Sequence, residues 1–572
     1  MPVIGKVLES ILNARLAFKN IALELDDPCQ FGFKQGCRTT DNIFILQSLL
    51  ENQTRSRQSL WVCFVDFTKA FDYVNRIALY HKLVKQGVNG KLLRLIIDLY
   101  DKAKCKVKWK GSIGNQIESE YGVLQGGMMS PKLFTEYLGD LGEFLDENQG
   151  VQLGSNVITH LLYADDMVLC SKTPTGLQKL IDGLYEFCRK WHLIVSLSKT
   201  NVMVLGNKKQ HGEHQFKFGD EHIAMTEQYN YLGVILSSKG KIFKNNISNL
   251  SVKAKNAEFA LGSFVKTTVG HLQPQLAMKM FDVQISPILE YGSEVWFKNK
   301  DIVELEKIHL NHMKQVLKVK TSTATPPLYA ELGRFPLSLK MKMRLINYWK
   351  RILEYDDTNI VKQAYLQLLE LYNSNQKNWC DVVREILKEA RLEQCWHNQT
   401  MNRTTLAQCK EALHQNFMNK CMNDINDSEK YTKLRTYKLF KKEFCLENYL
   451  TLHDNINNVI NIFRFRSSSH NLAIETGRYT RPKTPIDDRK CIHCNLNQVE
   501  DEQHFLLECS LYDNERTKLL QVIRQTKPNI DHETTHNKFC IIMSLKEVEI
   551  IKELGKYITD CMKKRSIIIV KE

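Results

Sequence analysis

The segment HLLYADDMVLCSK, residues 160–172, sets two neighbouring carboxylates, Asp165 and Asp166, between short apolar runs. Apolar residues on both sides of a charged pair read as a hairpin of buried strands with the charges at its tip. A second run, LWVCFVDF at 60–67, is a candidate buried strand that closes on Asp66. Two accounts of these carboxylates are open at this point. Asp-Asp by itself marks turns, because short turns favour Asp. Alternatively, the three carboxylates form a site for divalent cations. Magnesium prefers carboxylate oxygens and keeps several waters, so two or three aspartates on rigid strands suffice. Phosphoryl transfer to a growing strand needs two such ions, one activating the attacking hydroxyl and one clamping the triphosphate.

Around these runs, residues 60–205 alternate between short strand patterns and helical ones. FDYVNRIALYHKLVKQG, KLLRLIIDLY and GLQKLIDGLYEFCRKWHL have helical periodicity, and DKAKCKVKWKGSIGNQIESEYGV alternates and turns at GSIGN as a hairpin. This predicts an α+β layer, with helices behind a largely antiparallel sheet. From about 240 onward long, charged, amphipathic helical segments dominate. Composition boundaries fall near 206–240 and near 480, where RYTRPKTPIDDRK gathers two prolines and several charges. A chain of 572 residues is too long for one core, and its net charge of +15 favours a polyanionic partner. The amino-terminal helix pattern is interrupted by Lys6, Glu9 and Arg15, so it is not a signal peptide. No run of about 18 apolar residues occurs, so no membrane partner is expected. The reading is a soluble, intracellular protein whose 16 cysteines are mostly reduced thiols.

Two further features rest on residue chemistry. Lys102, Lys104, Lys106, Lys108 and Lys110 alternate with Ala103, Cys105, Val107 and Trp109. A strand here predicts five ammonium groups on one face and a buried opposite face. Such a ladder suits a phosphate backbone, or guards an edge strand against aggregation. Near the carboxyl end, Cys491, Cys494, His504 and Cys509 supply four soft ligands at short, closing spacings, as one tetrahedral structural zinc requires.

FVDFTKAFDYVN, GVLQGGMMSPKLFTEYLGDL and YADDMVLC, followed by LSKT and YLGV, come in the order and approximate spacing of a known family. The chain resembles the reverse transcriptases of non-LTR, LINE-like retrotransposons. The resemblance extends through GFKQGCRTTDNIF at 32–44, EYGSEVW at 290–296 and the terminal Cys/His element. It implies a right-hand polymerase in which Asp66, Asp165 and Asp166 hold two Mg2+ ions. By the same resemblance, Phe71 lies under the sugar of the incoming nucleotide and selects dNTP over rNTP. Gln125, Gly126 and Gly127 support the templating pair, although Leu-Gln-Gly-Gly-Met departs mildly from the family's usual Pro-Gln-Gly. Lys199 faces the triphosphate, and Lys34 and Arg38 lie in a fingers region that reaches triphosphate or template.

The domains expected are fingers and palm at 1–205, a thumb-like and connection region at 206–350, a helical region at 351–480 and a zinc-binding region at 481–572. The implied reaction is extension of a DNA 3′-hydroxyl on an RNA template, primed from nicked chromosomal DNA. The implied partners are the element's RNA, the nicked target and dNTPs, and the expected place of work is the nucleus. Set against this is a truncated or decayed copy that binds nucleic acid without efficient polymerisation. Residues 1–30 match no Arg-Pro-Ile-Ser-like fingers block of the relatives. The expectation is therefore that this block and an endonuclease lie upstream or in a separate intact copy.

Overall fold

The computed structural model describes residues 3–23, 27–102, 104–118, 121–206, 214–268, 271–298, 300–452 and 454–569. Among them are twelve strands. They are β1 (Ser59–Val65), β2 (Lys104–Trp109), β3 (Ser112–Glu118), β4 (Val151–Leu153), β5 (Asn156–Ile158), β6 (His160–Tyr163), β7 (Asp166–Ser171), β8 (Asn201–Gly206), β9 (Phe216–Phe218), β10 (Glu221–Met225), β11 (Gln228–Tyr231) and β12 (Val234–Ser237). Six of them form one sheet in the order β6-β7-β1-β8-β10-β9. All its pairings are antiparallel except β8 with β10.

Every residue of β1 is buried, which accounts for its continuous apolar sequence: a strand covered on both faces has no polar side to alternate with. Its pleat divides the side chains between two cores. Leu60, Val62 and Phe64 join one cluster with Ile43, Phe44 and Leu46 of helix Thr39–Arg55. Trp61, Cys63 and Val65 join another with Leu79 and Leu83 of helix Arg76–Lys85, Phe134 of Ser130–Leu138 and Leu180 of Pro174–Trp191. The α+β class holds, but helices cover both faces of the sheet, not only its back.

The boundary expected at 205 does not coincide with the end of this sheet. β9 and β10 extend it to Met225, because Phe216 and Ile223 are buried in the same core as Trp61. The boundary expected at 350 falls inside helix Leu337–Leu353. The helices beyond it are not set apart from the amino-terminal layer. Helix Ile360–Asn373 packs on Thr39–Arg55, where the Ser48 hydroxyl donates to the Ala364 carbonyl at 2.9 Å, and Arg351 pairs with the buried Asp41. One apolar cluster runs from Cys29 to Cys561.

A single buried charge organises the helical part. Glu331, 0% exposed, ends helix Thr325–Leu332 and accepts hydrogen bonds from the hydroxyls of Tyr437 (2.8 Å) and Tyr449 (2.5 Å) and from the guanidinium of Arg466 (2.9 Å). Arg466 in turn donates to the Met543 carbonyl at 2.5 Å. Burial alone would raise the Glu331 carboxyl, but the Arg466 and Lys441 cations beside it hold it below its ordinary value. Because the folded value is depressed, the stabilisation is present above the ordinary carboxylate range and is lost as pH falls through the folded value.

Glu331→Gln leaves the buried Arg466 guanidinium with only Glu447, 3.4 Å away, as counter-charge, and breaking one side of a buried pair costs about 3–5 kcal/mol. Urea denaturation at neutral pH is expected to show that loss. The gap between variant and wild type should narrow as the pH is taken down toward 3, since acid removes the same charge from the wild type.

Candidate active site

The charged hairpin tip is held by a side chain from outside the sheet. β6 and β7 are joined through Ala164 and Asp165, and Ala164 sits at φ +60°, a left-handed conformation that costs a residue with a Cβ about 1–2 kcal/mol. Gln30, 1% exposed, offsets that cost. Its Oε1 accepts from the backbone N–H groups of Ala164 (3.0 Å) and Gly32 (2.7 Å), and its Nε2 donates to the Ala164 carbonyl at 3.3 Å. Backbone bonds between Cys29, Phe31 and Leu162 lay this segment along β6. A Cβ on Gly32 would lie 2.1 Å from the Ala164 nitrogen, so only glycine allows the approach.

Asp66 follows β1. The β1–β7 register pairs Val65 with Met167, so one step further sets Asp66 across from Asp166. The Asp66 carbonyl accepts from Ser196 N–H at 2.7 Å, and its own N–H donates to the Thr200 hydroxyl at 3.2 Å. These contacts bring in the LSKT turn, and the Lys199 ammonium lies 3.3 Å from the Asp66 carboxylate. Burial, then the Asp66 charge, raises the Asp165 carboxyl; burial, Asp165 and Asp66 together raise Asp166. Crowded carboxylates held against their own repulsion are a site that a cation would stabilise. Beneath them Phe64 stacks on Tyr229 of β11 at 4.2 Å. The Tyr229 phenol is pushed up to about 12 by burial and by Asp66 and Asp166 nearby.

Phe71 lies flat on Phe134 at 4.6 Å, with the edge of Phe33 at 6.2 Å. The loop at 122–127 docks alongside it: Val123 N–H donates to the Phe71 carbonyl at 2.9 Å and Gln125 Nε2 to Asp72 at 2.9 Å. Gly126 has φ +79° with open space where a Cβ would be, whereas a Cβ on Gly127 would meet the Ser130 hydroxyl at 2.7 Å. The fully buried Glu9 of helix Val3–Leu23 accepts from the next N–H, that of Met128, at 2.5 Å. Asp66, Asp165, Asp166 and Lys199 are therefore brought together, with the Phe71–Gln125 group assembled on its own contacts. Lys34 and Arg38 are not drawn in. The Lys34 ammonium donates to the Asp27 carbonyl at 2.5 Å, and the exposed Arg38 precedes helix Thr39–Arg55 with its N–H on Asp41.

The lysine strand departs from expectation. Lys104, Lys106 and Lys108 fall on β2, while Lys102 ends the preceding helix and Lys110 occupies the turn to β3; Ala103 lies outside the described residues. Its apolar face is not buried. Val107 is 60% and Trp109 72% exposed, because β2 and β3 pair only with each other and no described element covers them.

At the other end of the chain Cys491, Cys494, His504 and Cys509 converge, with ligand atoms all within 4.8 Å of one another. His504 points Nε2 at Cys494 Sγ (3.4 Å) and Nδ1 at the Gln498 side-chain oxygen (3.1 Å), the division of labour of a metal-binding imidazole. The acidic insert between the ligands turns inward. Glu500 takes both guanidinium contacts of Arg565, at 2.7 and 2.8 Å, and Glu502 pairs with Arg435 (2.7 Å) and His470 (2.8 Å). No helix among the described residues is long and apolar enough to cross a membrane.

Residues 1–236 match the family model described as reverse transcriptase (RNA-dependent DNA polymerase). The chain is 26% identical over 258 residues to the Pol polyprotein of the type-2 retrotransposable element R2DM of Drosophila melanogaster, covering 44% of this chain and 24% of that protein. It is 24% identical over 302 residues to the RNA-directed DNA polymerase from mobile element jockey of Drosophila funebris, covering 52% and 32%. It thus spans about a quarter to a third of the length of these relatives. Among solved structures, apo telomerase from Candida tropicalis truncated from its C-terminal domain aligns at TM-score 0.31 and 16% identity, over 40% of this chain and 44% of that one.

Gln30 and Tyr229 are among the residues of this region that the motifs did not mark. Gln30→Ala leaves the buried N–H groups of Gly32 and Ala164 without acceptors, each orphan costing about 1–3 kcal/mol. Hydrogen exchange is expected to speed up at the amides of residues 163–166 and to stay unchanged at β8.

Proposed function

We propose, from the reverse transcriptase domain at residues 1–236, that this chain carries out RNA-templated DNA synthesis for a non-LTR retrotransposon, extending a DNA 3′-hydroxyl with dNTPs. The observation that carries the reading is the convergence of Asp66, Asp165 and Asp166, with Lys199, at the ends of adjacent strands inside the matched region. Two magnesium ions bound there would activate the attacking hydroxyl and clamp the triphosphate. The three carboxylates, on neighbouring strand ends with Asp165 and Asp166 raised by burial and by their neighbours, are suited to hold them. The chain's own part is positioning. Lys199, mostly exposed beside Asp66, is placed to meet negative charge leaving with pyrophosphate. The Phe71 ring, braced by Phe134, is placed to exclude a 2′-hydroxyl, and the glycine loop offers bare backbone beside it.

The partners that go with this reading are the element's RNA as template and a nicked chromosomal target as primer, which sets the work in the nucleus. The nick belongs to an endonuclease supplied by the element. At the carboxyl end, the Cys491, Cys494, His504 and Cys509 set suits one structural zinc, with Gln498 fixing the imidazole.

Asp165→Ala and Asp66→Ala are each expected to cut magnesium-dependent dNTP incorporation on an RNA template by on the order of 10³-fold or more, the scale of several kcal/mol of lost charge stabilisation. RNA binding by gel shift should hardly change, since the basic surface is untouched. Substantial incorporation by Asp165→Ala would remove the reading.

Metal analysis of the purified chain is expected to give about one zinc per molecule, falling to none in Cys494→Ser. Chelation should open residues 481–569 to protease before the sheet, because structural metal stabilises its own module directly.

A further inference from the structure

A cavity of about 620 Å³ opens between the loop at 318–320, helix Ile456–Arg466, residues 469–476 and helix Val548–Ile569, far along the chain from the three aspartates. Lys318, Lys320, Arg464 and Arg565 line it, and no Asp or Glu does. Arg565 is spent on Glu500, and His470 on the same wall is spent on Glu502. Lys318, Lys320 and Arg464 form no ion pair among the described residues. Arg464 is half-buried, and its guanidinium is satisfied only by the Lys318 carbonyl, at 3.0 Å from Nε. Burial accordingly lowers its pKa with no acid to offset it. A cation in that position is stabilised by an incoming anion.

The wall that carries these cations is already ordered. The Lys314 ammonium donates to the Thr321 carbonyl at 2.5 Å, the Thr323 and Ser469 hydroxyls meet at 3.1 Å, and Arg464 ties down Lys318. Little ordering therefore remains to oppose binding. Asn461 and Asn471 add neutral hydrogen-bonding groups to the same space. Two exposed ammonium groups flanking a half-buried guanidinium give room and charge for more than one phosphate along a strand.

We infer that this cavity is a second nucleic-acid site, binding consecutive phosphodiester groups of a single strand through Lys318, Lys320 and Arg464. The choice of a polynucleotide as the anion rests on the polymerase reading; the anion site itself does not. The test uses the full chain and fluorescence anisotropy with single-stranded RNA and DNA oligonucleotides of about a dozen nucleotides, a length within known site sizes, across a salt series. Lys318→Gln combined with Lys320→Gln removes two charges while leaving the backbone hydrogen bond of Arg464. For a single strand, each phosphate that is no longer neutralised lowers the slope of log affinity against log salt by about 0.7, so a fall of about 1.4 is expected. A control pair, Lys518→Gln with Lys527→Gln, takes two exposed lysines from elsewhere on the surface and should leave the slope unchanged. Unfolding midpoints of both variants should match wild type.

A slope change with both oligonucleotides assigns the cavity to the phosphate backbone, and a change with RNA alone assigns it to the template strand. Equal slopes for cavity variant, control and wild type overturn the inference, as does an equal fall in both variants. If wild type proves as inert in primer extension as Asp165→Ala while the cavity variant still has the shallower slope, the polymerase reading fails and this site stands.

Discussion

Like-charge repulsion at one end of the central sheet is the constraint around which the amino-terminal half is built. Asp165 and Asp166 stand where burial and neighbouring carboxylates both oppose their ionisation, with Asp66 on the next strand. The backbone beneath them is correspondingly over-determined. β1 is buried on both faces, the turn at Ala164 is gripped through its N–H and its carbonyl by Gln30, and Asp66 is bracketed by Ser196 and Thr200. Strain and charge of this kind persist only where the surroundings leave no alternative conformation. Were cations to bind there, ligands already in place would need no further ordering.

The same sheet explains how the rest of the chain is attached. Alternate residues of β1 feed separate cores, so each helical layer depends on the strand's register. On one side the core continues without a break into the carboxyl-terminal helices, where Glu331 and Arg466 join segments more than a hundred residues apart. Ser48 and Asp41 of helix Thr39–Arg55 reach Ala364 and Arg351. The expected division into successive domains describes the order of the sequence better than the way it packs.

What could be read from the sequence divides along physical lines. β1, the β6–β7 hairpin, the long helices and the Cys/His cluster were legible because each is encoded locally, by an apolar run or by close spacing of its members. Gln30 was not, since a glutamine in CQFGF gives no sign that its side chain will serve backbone groups 134 residues away. Tyr229 was missed for the same reason: its partner Phe64 is remote in sequence. The two faces of β2 follow the period-2 rule, but alternation cannot say whether a partner covers the apolar one, and Trp109 stands exposed. The continuation of the sheet past residue 205 was not legible because β9 and β10 are only three and five residues long, too short for a periodic signal.

The inward turn of Glu500 onto Arg565 ties the metal-ligand cluster to the last helix of the described chain. Genetically, this makes the codon for Arg565 as consequential as those for the clustered cysteines and histidine. A nonsense mutation just ahead of codon 565 would spare all four side chains of the Cys/His cluster and all of Asp66, Asp165 and Asp166. It would nevertheless leave a carboxylate, 2% exposed in the intact protein, with no counter-ion. Copies of such a gene cut off within this helix should therefore decay by misfolding and turnover of the product.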